Sequence, residues 1–258
     1  MSYKVYLPVI CYNHTVLSHY MFSIMRLLFE GQSKNVGFTL DCIYFDSLIA
    51  RARNAAAVNF LNMKDCDYMM FIDTDISFNP KDVFSLLKRN KDVVSGLYPK
   101  KYISHQKMSR MILQNGPVLP DDYEELCTDF ATEINNKDKI NEVEEVNYAA
   151  TGFMLIKKKV FIELAQKLPH IAYKNDIDGY MSYGNTFYDF FPCKINQELK
   201  KYEAEDYGFC SLYKSIGGKI HVDTTCELTH HGWKAYKGNF NKQSQFFKND
   251  INNLPTGK

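Results

Sequence analysis

Residues 67–75 read Asp67-Tyr68-Met69-Met70-Phe71-Ile72-Asp73-Thr74-Asp75. The short apolar run from Tyr68 to Ile72 has the length of a strand buried on both faces, and it ends in a pair of acids. Upstream, residues 47–62 read as a strong helix with Ser47 placed to cap it. Residues 38–45 (FTLDCIYF) read as a strand before that helix. Further back, residues 3–10 (YKVYLPVI) alternate as a strand does, and residues 16–29 carry apolar side chains at helical spacing. Downstream, Pro80 opens a short helix, since proline is tolerated in a first turn, and residues 92–98 form a fourth strand. Strand and helix in alternation build an α/β fold, with a mostly parallel central sheet, right-handed crossovers and flanking helices. Ligands gather at the carboxyl ends of strands in such sheets, which is where Asp73 and Asp75 stand.

The pattern changes after about residue 100. Residues 115–145 contain Gly116, Pro117, Pro120 and an acidic series from Asp121 to Glu145, and read as a mobile loop or insertion. Residues 146–156 are strand-like, with a break at Thr151-Gly152. A helix follows over 158–168, and residues 170–198 show no clear period. Residues 203–216 read as a helix closed by Gly217-Gly218, residues 219–222 as a short strand, and the polar, aromatic tail from 232 frays at its end.

The chain has 258 residues, enough for one large domain or two small ones. Its 31 basic and 30 acidic side chains leave a net charge of +1, which gives no support for a nucleic-acid or anionic-membrane partner. No apolar run approaches the roughly 20 residues of a membrane span. The amino terminus lacks the regions of a signal peptide. Seven cysteines without a C-x-x-C spacing read as buried, reduced thiols, so a cytoplasmic location is expected. Aromatic residues at 14% suit either a dense core or a sugar-binding cleft.

Four clusters carry candidate chemistry. Asp73 and Asp75, past the end of a buried strand, repel each other and are costly to desolvate; a divalent cation such as Mn²⁺ or Mg²⁺ removes that cost. Two acids on a solvated turn are the plainer reading. Arg51, Arg53 and Asn54 lie early in their helix, where basic groups oppose the dipole unless an anion such as a diphosphate faces them. A solvated face accounts for them equally. Glu205 and Asp206 stand among Tyr207, Phe209 and Cys210, and are either a general base in a cleft or an ordinary exposed pair. His230-His231-Gly232-Trp233 offers one histidine to a metal, or a surface pair, and its tryptophan is a sugar platform or core.

Taken together the motifs resemble the nucleotide-sugar-dependent glycosyltransferases of GT-A (Rossmann-like) fold, close to the family-2-like inverting enzymes. The matching stretches are residues 47–54, the D-x-D at 73–75, residues 94–101 (VSGLYPKK), residues 151–156 (TGFMLI), residues 205–210 (EDYGFC) and His230 before Gly232. The chain is also similar to the small stand-alone glycosyltransferase domains of large DNA viruses of algae. The resemblance implies a single domain over residues 1–240, with 241–258 as a tail. It further implies a metal on Asp75, Asp73 and His230, and a nucleotide held by Pro8, Arg51, Arg53, Asn54 and Asp73. Thr151, Gly152, Glu205 and Trp233 would lie by the donor or acceptor sugar, with Asp206 as the base. Donor and acceptor would be a nucleoside-diphosphate sugar, UDP by family frequency, and a glycan or glycoprotein, in the cytoplasm or in that of a host cell for a viral protein. His231 and Trp233 are bulkier than the family pattern expects. Two rivals stand beside this reading. One is a haloacid-dehalogenase-type phosphatase, whose D-x-D-x-[TV] motif here has Ser77 in the last place and falls on the third strand, not the first. The other is a binding module that has lost its chemistry. No G-x-G-x-x-G follows the first strand, which excludes a dinucleotide-binding oxidoreductase.

Overall fold

A computed structural model describes residues 3–115, 120–132, 134 and 142–251. The first half runs β1 (Tyr3–Cys11), α1 (Ser18–Ser33), β2 (Val36–Tyr44), α2 (Ile49–Asn62), β3 (Tyr68–Ile72), the two-residue β4 (Ile76–Ser77), α3 (Pro80–Arg89), β5 (Val93–Gly96) and β6 (Pro99–Ile103). Next come α4 (His105–Asn115), α5 (Pro120–Cys127), β7 (Thr128–Phe130), β8 (Val143–Val146), β9 (Phe153–Lys157) and α6 (Lys158–Lys167). The chain continues through β10 (Ala172–Lys174), β11 (Thr186–Tyr188), β12 (Lys194–Asn196), β13 (Lys201–Glu203), α7 (Glu205–Ser215), β14 (Ile220–Asp223), β15 (Thr229–His231), β16 (Ala235–Lys237) and α8 (Phe240–Ile251).

The central sheet has the order β2-β1-β3-β9-β5-β14-β8. Strands β2, β1, β3, β5 and β14 share one direction; β9 runs against them between β3 and β5, and β8 runs against β14 at the edge. The fold is α/β with a mostly parallel sheet, as the sequence predicts. Successive side chains of a strand face opposite ways. Met69 and Phe71 therefore enter the core shared with α2, α6 and α7, while Met70 and Ile72 enter the core shared with α1 and α3. All of β3 is buried, which is why its sequence is continuously apolar. Each such side chain contributes roughly 1.5–3 kcal/mol on burial.

Several expectations are corrected. The N-cap of α2 is Leu48, with no side-chain cap; Asp46, not Ser47, accepts the Leu48 N–H at 2.9 Å. An ionised carboxylate is the stronger acceptor for that donor. Residues 146–156 do not form one strand: β8 ends at Val146 and β9 starts at Phe153. The acidic segment supplies α5, β7 and β8, with 116–119, 133 and 135–141 outside the described residues. Residues 170–198 contain the hairpin β10–β11 and the strand β12, which pairs with β13. Five cysteines are buried, but Cys42 and Cys193 are exposed, and all seven are free thiols. The region beyond 240 contains α8, whose buried Gln243 donates to the carbonyls of Leu126 (2.7 Å) and Thr128 (2.8 Å), docking it on α5 and β7. Among the described residues no helix is long and apolar enough to cross a membrane.

Candidate active site

The site begins where β3 runs out. Ile72 pairs with Phe153 in the sheet. One residue on, the Asp73 N–H donates to the Gly152 carbonyl at 2.9 Å, and the Asp73 carbonyl accepts from Ile76 N–H at 2.9 Å. That turn carries Thr74 and Asp75 across the carboxyl end of the sheet into β4. Strand β4 belongs to a second, three-stranded ribbon with β15 and β16, and the Asp75 carbonyl accepts the His231 N–H at 2.7 Å. Asp73-Thr74-Asp75 is thus a strap between two sheets. Over it opens a cleft of about 280 Å³, with Pro8, Ile10 and Ile49 as its apolar wall and Arg53, Asp73, Asp75 and Glu205 as its polar groups.

The two aspartates have different partners. Asp73 Oδ1 accepts from Arg53 Nη2 at 3.0 Å, while Arg53 Nε stands 3.5 Å from Glu205 Oε1 and the guanidinium lies 4.9 Å from the centre of the Phe71 ring. Burial alone would weaken the Arg53 charge; Asp73 and Glu205 more than offset it. Asp75 Oδ2 accepts from Lys101 Nζ at 2.5 Å. Burial pushes the Asp75 carboxyl up, but His230 and Lys101 outweigh it and hold the group at about 2.

Asp75 Oδ1 is buried and accepts no hydrogen bond. His230 Nε2 is 3.5 Å from it, and His230 Nδ1 lies 2.9 Å from the Pro99 carbonyl. A carbonyl can only accept, so the ring proton sits on Nδ1, and in a neutral ring Nε2 points a lone pair at Oδ1. A cation there, a second ring proton or a metal ion, relieves that opposition. Metal-ligating histidines commonly donate their other ring N–H to a carbonyl in this way. Asp75 and His230 therefore fit a divalent ion. Asp73 is turned to Arg53 instead, and among the described residues no group of three His, Cys, Asp or Glu side chains is arranged to hold a metal. Two protein ligands suffice for Mg²⁺-type ions when substrate phosphates complete the shell.

Tyr98 fills the space behind the aspartates. Its buried hydroxyl accepts from the Gly152 N–H at 3.3 Å and its ring meets His230 edge-on at 5.3 Å. A Cβ at Gly152 would lie 2.5 Å from that hydroxyl and 3.0 Å from Asp73 Oδ2, so only glycine lets the chain pass. Burial and the charge of Asp73 raise the Tyr98 phenol well above its ordinary value. Asp206, half-buried in the first turn of α7, is pushed up to about 6 by burial and then by the negative charge of Glu205.

The structure brings Pro8, Arg53, Asp73, Asp75 and Glu205 to the cleft, with His230 beside Asp75 and Gly152 beside Asp73. Thr151 is buried in the turn before β9. Arg51 forks onto Asp46 at 3.0 Å, and Asp46 also accepts from the Tyr180 hydroxyl at 2.7 Å. Asn54 is outside the cleft: its amide donates to Asp189 and accepts from the Phe191 N–H, both at 3.0 Å. In the structure the two arginines face the protein's own carboxylates, Arg51 on Asp46 and Arg53 on Asp73 and Glu205. Trp233 is not core and does not line the cleft; it stands fully exposed between β15 and β16. Tyr98 and Lys101 were not singled out from sequence, although both fall inside the 94–101 stretch.

No family model matches the chain, and no curated protein matches it. Among solved structures the chain is similar to A197 from STIV, at 16% identity over 90% of this chain and 86% of that one, with a TM-score of 0.47. It is similar to a putative glucose-1-phosphate thymidylyltransferase from Bacillus anthracis, at 14% identity over 100% and 98% of the two chains, with a TM-score of 0.41. It is also similar to TarS from S. aureus, at 16% identity over 100% and 67%, with a TM-score of 0.37. At these values the likenesses carry no argument about activity, and the reading of the cleft rests on its own residues.

Proposed function

We propose that the protein is a metal-dependent, inverting glycosyltransferase of GT-A fold that moves a sugar from a nucleoside-diphosphate sugar to a glycan hydroxyl. The observation that carries this reading is the pairing of Asp75 Oδ1, buried and without a hydrogen-bond partner, with His230 Nε2 at 3.5 Å, beside a cleft on the carboxyl ends of parallel strands. Asp75 and His230 would hold Mn²⁺ or Mg²⁺, with Asp73 assisting. When bound, that ion supplies Lewis-acid stabilisation of the charge developing on the diphosphate. Pro8, Ile10 and Ile49 form the wall against which a nucleoside can lie.

Asp206 is the base of the reaction. Its value near 6 leaves it mostly ionised at pH 7 yet still able to take a proton. It removes the proton of the acceptor hydroxyl as that oxygen bonds to the sugar's anomeric carbon. The bond from that carbon to the diphosphate breaks, and the nucleoside diphosphate departs with the electron pair. Attack opposite the leaving group inverts the anomeric centre. Trp233, fully exposed three residues after His230, offers a stacking face to the acceptor.

The test is release of nucleoside diphosphate from a panel of UDP-, GDP- and dTDP-sugars, with Mn²⁺ and with EDTA. Metal-dependent release from one donor is expected. Silence across the panel, with nucleotide binding also absent, overturns the reading.

A further inference from the structure

Lys101 stands on one of the three carboxylates of the cleft, Asp75. It belongs to β6, the strand whose Pro99 carbonyl fixes the His230 ring, and its Nζ is 2.5 Å from Asp75 Oδ2. One short strand therefore both aims the histidine and supplies an ammonium to the carboxylate that the histidine faces. We propose that Lys101 is a placeholder cation. It holds Asp75 until a divalent ion arrives with a diphosphate, and then moves to the phosphate oxygens, so that metal and nucleotide bind cooperatively. This inference rests on the reading of the cleft as a metal-dependent nucleotide-sugar site.

Three observations support it. First, the two oxygens of Asp75 are unequally used: Lys101 occupies Oδ2, while Oδ1 has no donor. A divalent ion on Oδ1 would share the carboxylate with the ammonium, and the like charges repel. Second, Lys101 is the less confined of the two cations. The Lys101 side chain is 38% exposed on a flexible stem, whereas Arg53 is 3% exposed and pinned between Asp73 and Glu205. Third, the stem has a track. It packs on Gly232, where a Cβ would stand 3.0 Å from Lys101 Cδ, so the stem is held and only its ammonium end need move. A diphosphate brings the negative charge that the released ammonium needs. By linkage, whatever the nucleotide does for the metal, the metal does for the nucleotide.

The experiment is calorimetric titration of Mn²⁺ into the parent protein and Lys101→Met, each with and without saturating UDP. Methionine keeps the stem and removes the charge. Lys101→Met should bind Mn²⁺ alone about tenfold more tightly than the parent, and UDP should then strengthen Mn²⁺ binding about tenfold less than it does in the parent. Lys101→Arg, which keeps the charge, should stay at the parent affinity. If Lys101→Met binds Mn²⁺ no more tightly than the parent while Asp75→Asn abolishes binding, the placeholder is overturned and the metal site stands. Absence of Mn²⁺ binding in every protein, with UDP or without, overturns both.

Discussion

Replacing Arg53 by methionine keeps most of its stem and removes the charge that holds the cleft together. Its guanidinium stands 3.0 Å from Asp73 Oδ1, 3.5 Å from Glu205 Oε1 and 4.9 Å from the centre of the Phe71 ring. Without it, both carboxylates lose their shared counter-ion. Breaking a fully buried ion pair costs about 3–5 kcal/mol. Asp73 is 38% exposed, so water recovers part of its solvation; Glu205, at 15%, recovers less. Loss of the contact with Phe71 adds about 0.5–1 kcal/mol. The net cost is about 3 kcal/mol, toward the lower end of the buried-pair range. At roughly 2–4 °C per kcal/mol for a chain near this length, the melting temperature falls by about 6–12 °C. Thermal unfolding followed by circular dichroism at pH 7.5 measures it. Arg53→Met combined with Glu205→Gln should regain part of the loss, because one of the two uncompensated charges is gone. A single mutant that melts within about 2 °C of the parent refutes the argument.

Asp206→Asn should leave UDP binding unchanged and lower the transfer rate about 10²–10⁴-fold; transfer at the parent rate removes Asp206 from the mechanism. The parent's rate should fall on the acid side with a midpoint near pH 6, where Asp206 protonates. Stability runs the other way. The folded value lies above the ordinary 3.8, so this carboxyl stabilises the fold below about pH 4, and that contribution is lost as pH rises through about 6. Gly208→Ala should fail to accumulate as folded protein, because its Cβ would lie 1.8 Å from the Pro192 carbonyl oxygen; a parent-like melting curve would show that α7 can shift. Trp233→Ala should leave the melting temperature unchanged, since the side chain is fully exposed, and should reduce transfer to the acceptor without changing donor hydrolysis. Equal loss of both activities would place Trp233 at the donor instead.

Much of this arrangement is local and therefore legible. The apolar run before Asp73, the alternation in residues 3–10 and Pro80 at a helix start each report their own backbone, and the structure has β3, β1 and α3 there. Strand direction is not local. Residues 153–156 read as a strand equally well in either sense, and their placement against β3 and β5 depends on residues far away in sequence. The same limit applies to charge. In sequence the two arginines of α2 suit an anionic partner or a solvated face equally, and the partners Asp46, Asp73 and Glu205 are not legible there, because the pairs with Asp73 and Glu205 form only when the sheet has closed. The pairing of Lys101 with Asp75 is illegible for the same reason: its partner lies 26 positions away across the end of the sheet.

The strap between the two sheets has a consequence for local opening. His230 is carried on the ribbon of β4, β15 and β16, whereas Asp73 hangs from the central sheet. Each β15 pairing is only two or three residues long, while β3 is fully buried between neighbours on both sides. Amide hydrogens of Thr229–His231 should therefore exchange through a sub-global opening, and those of Tyr68–Ile72 only through global unfolding. Any ligand that bridges Asp75 and His230 would slow exchange in the first set and leave the ratio of rates within the second unchanged. The ribbon's amides become a reporter of cleft occupancy that needs neither turnover nor an identified acceptor.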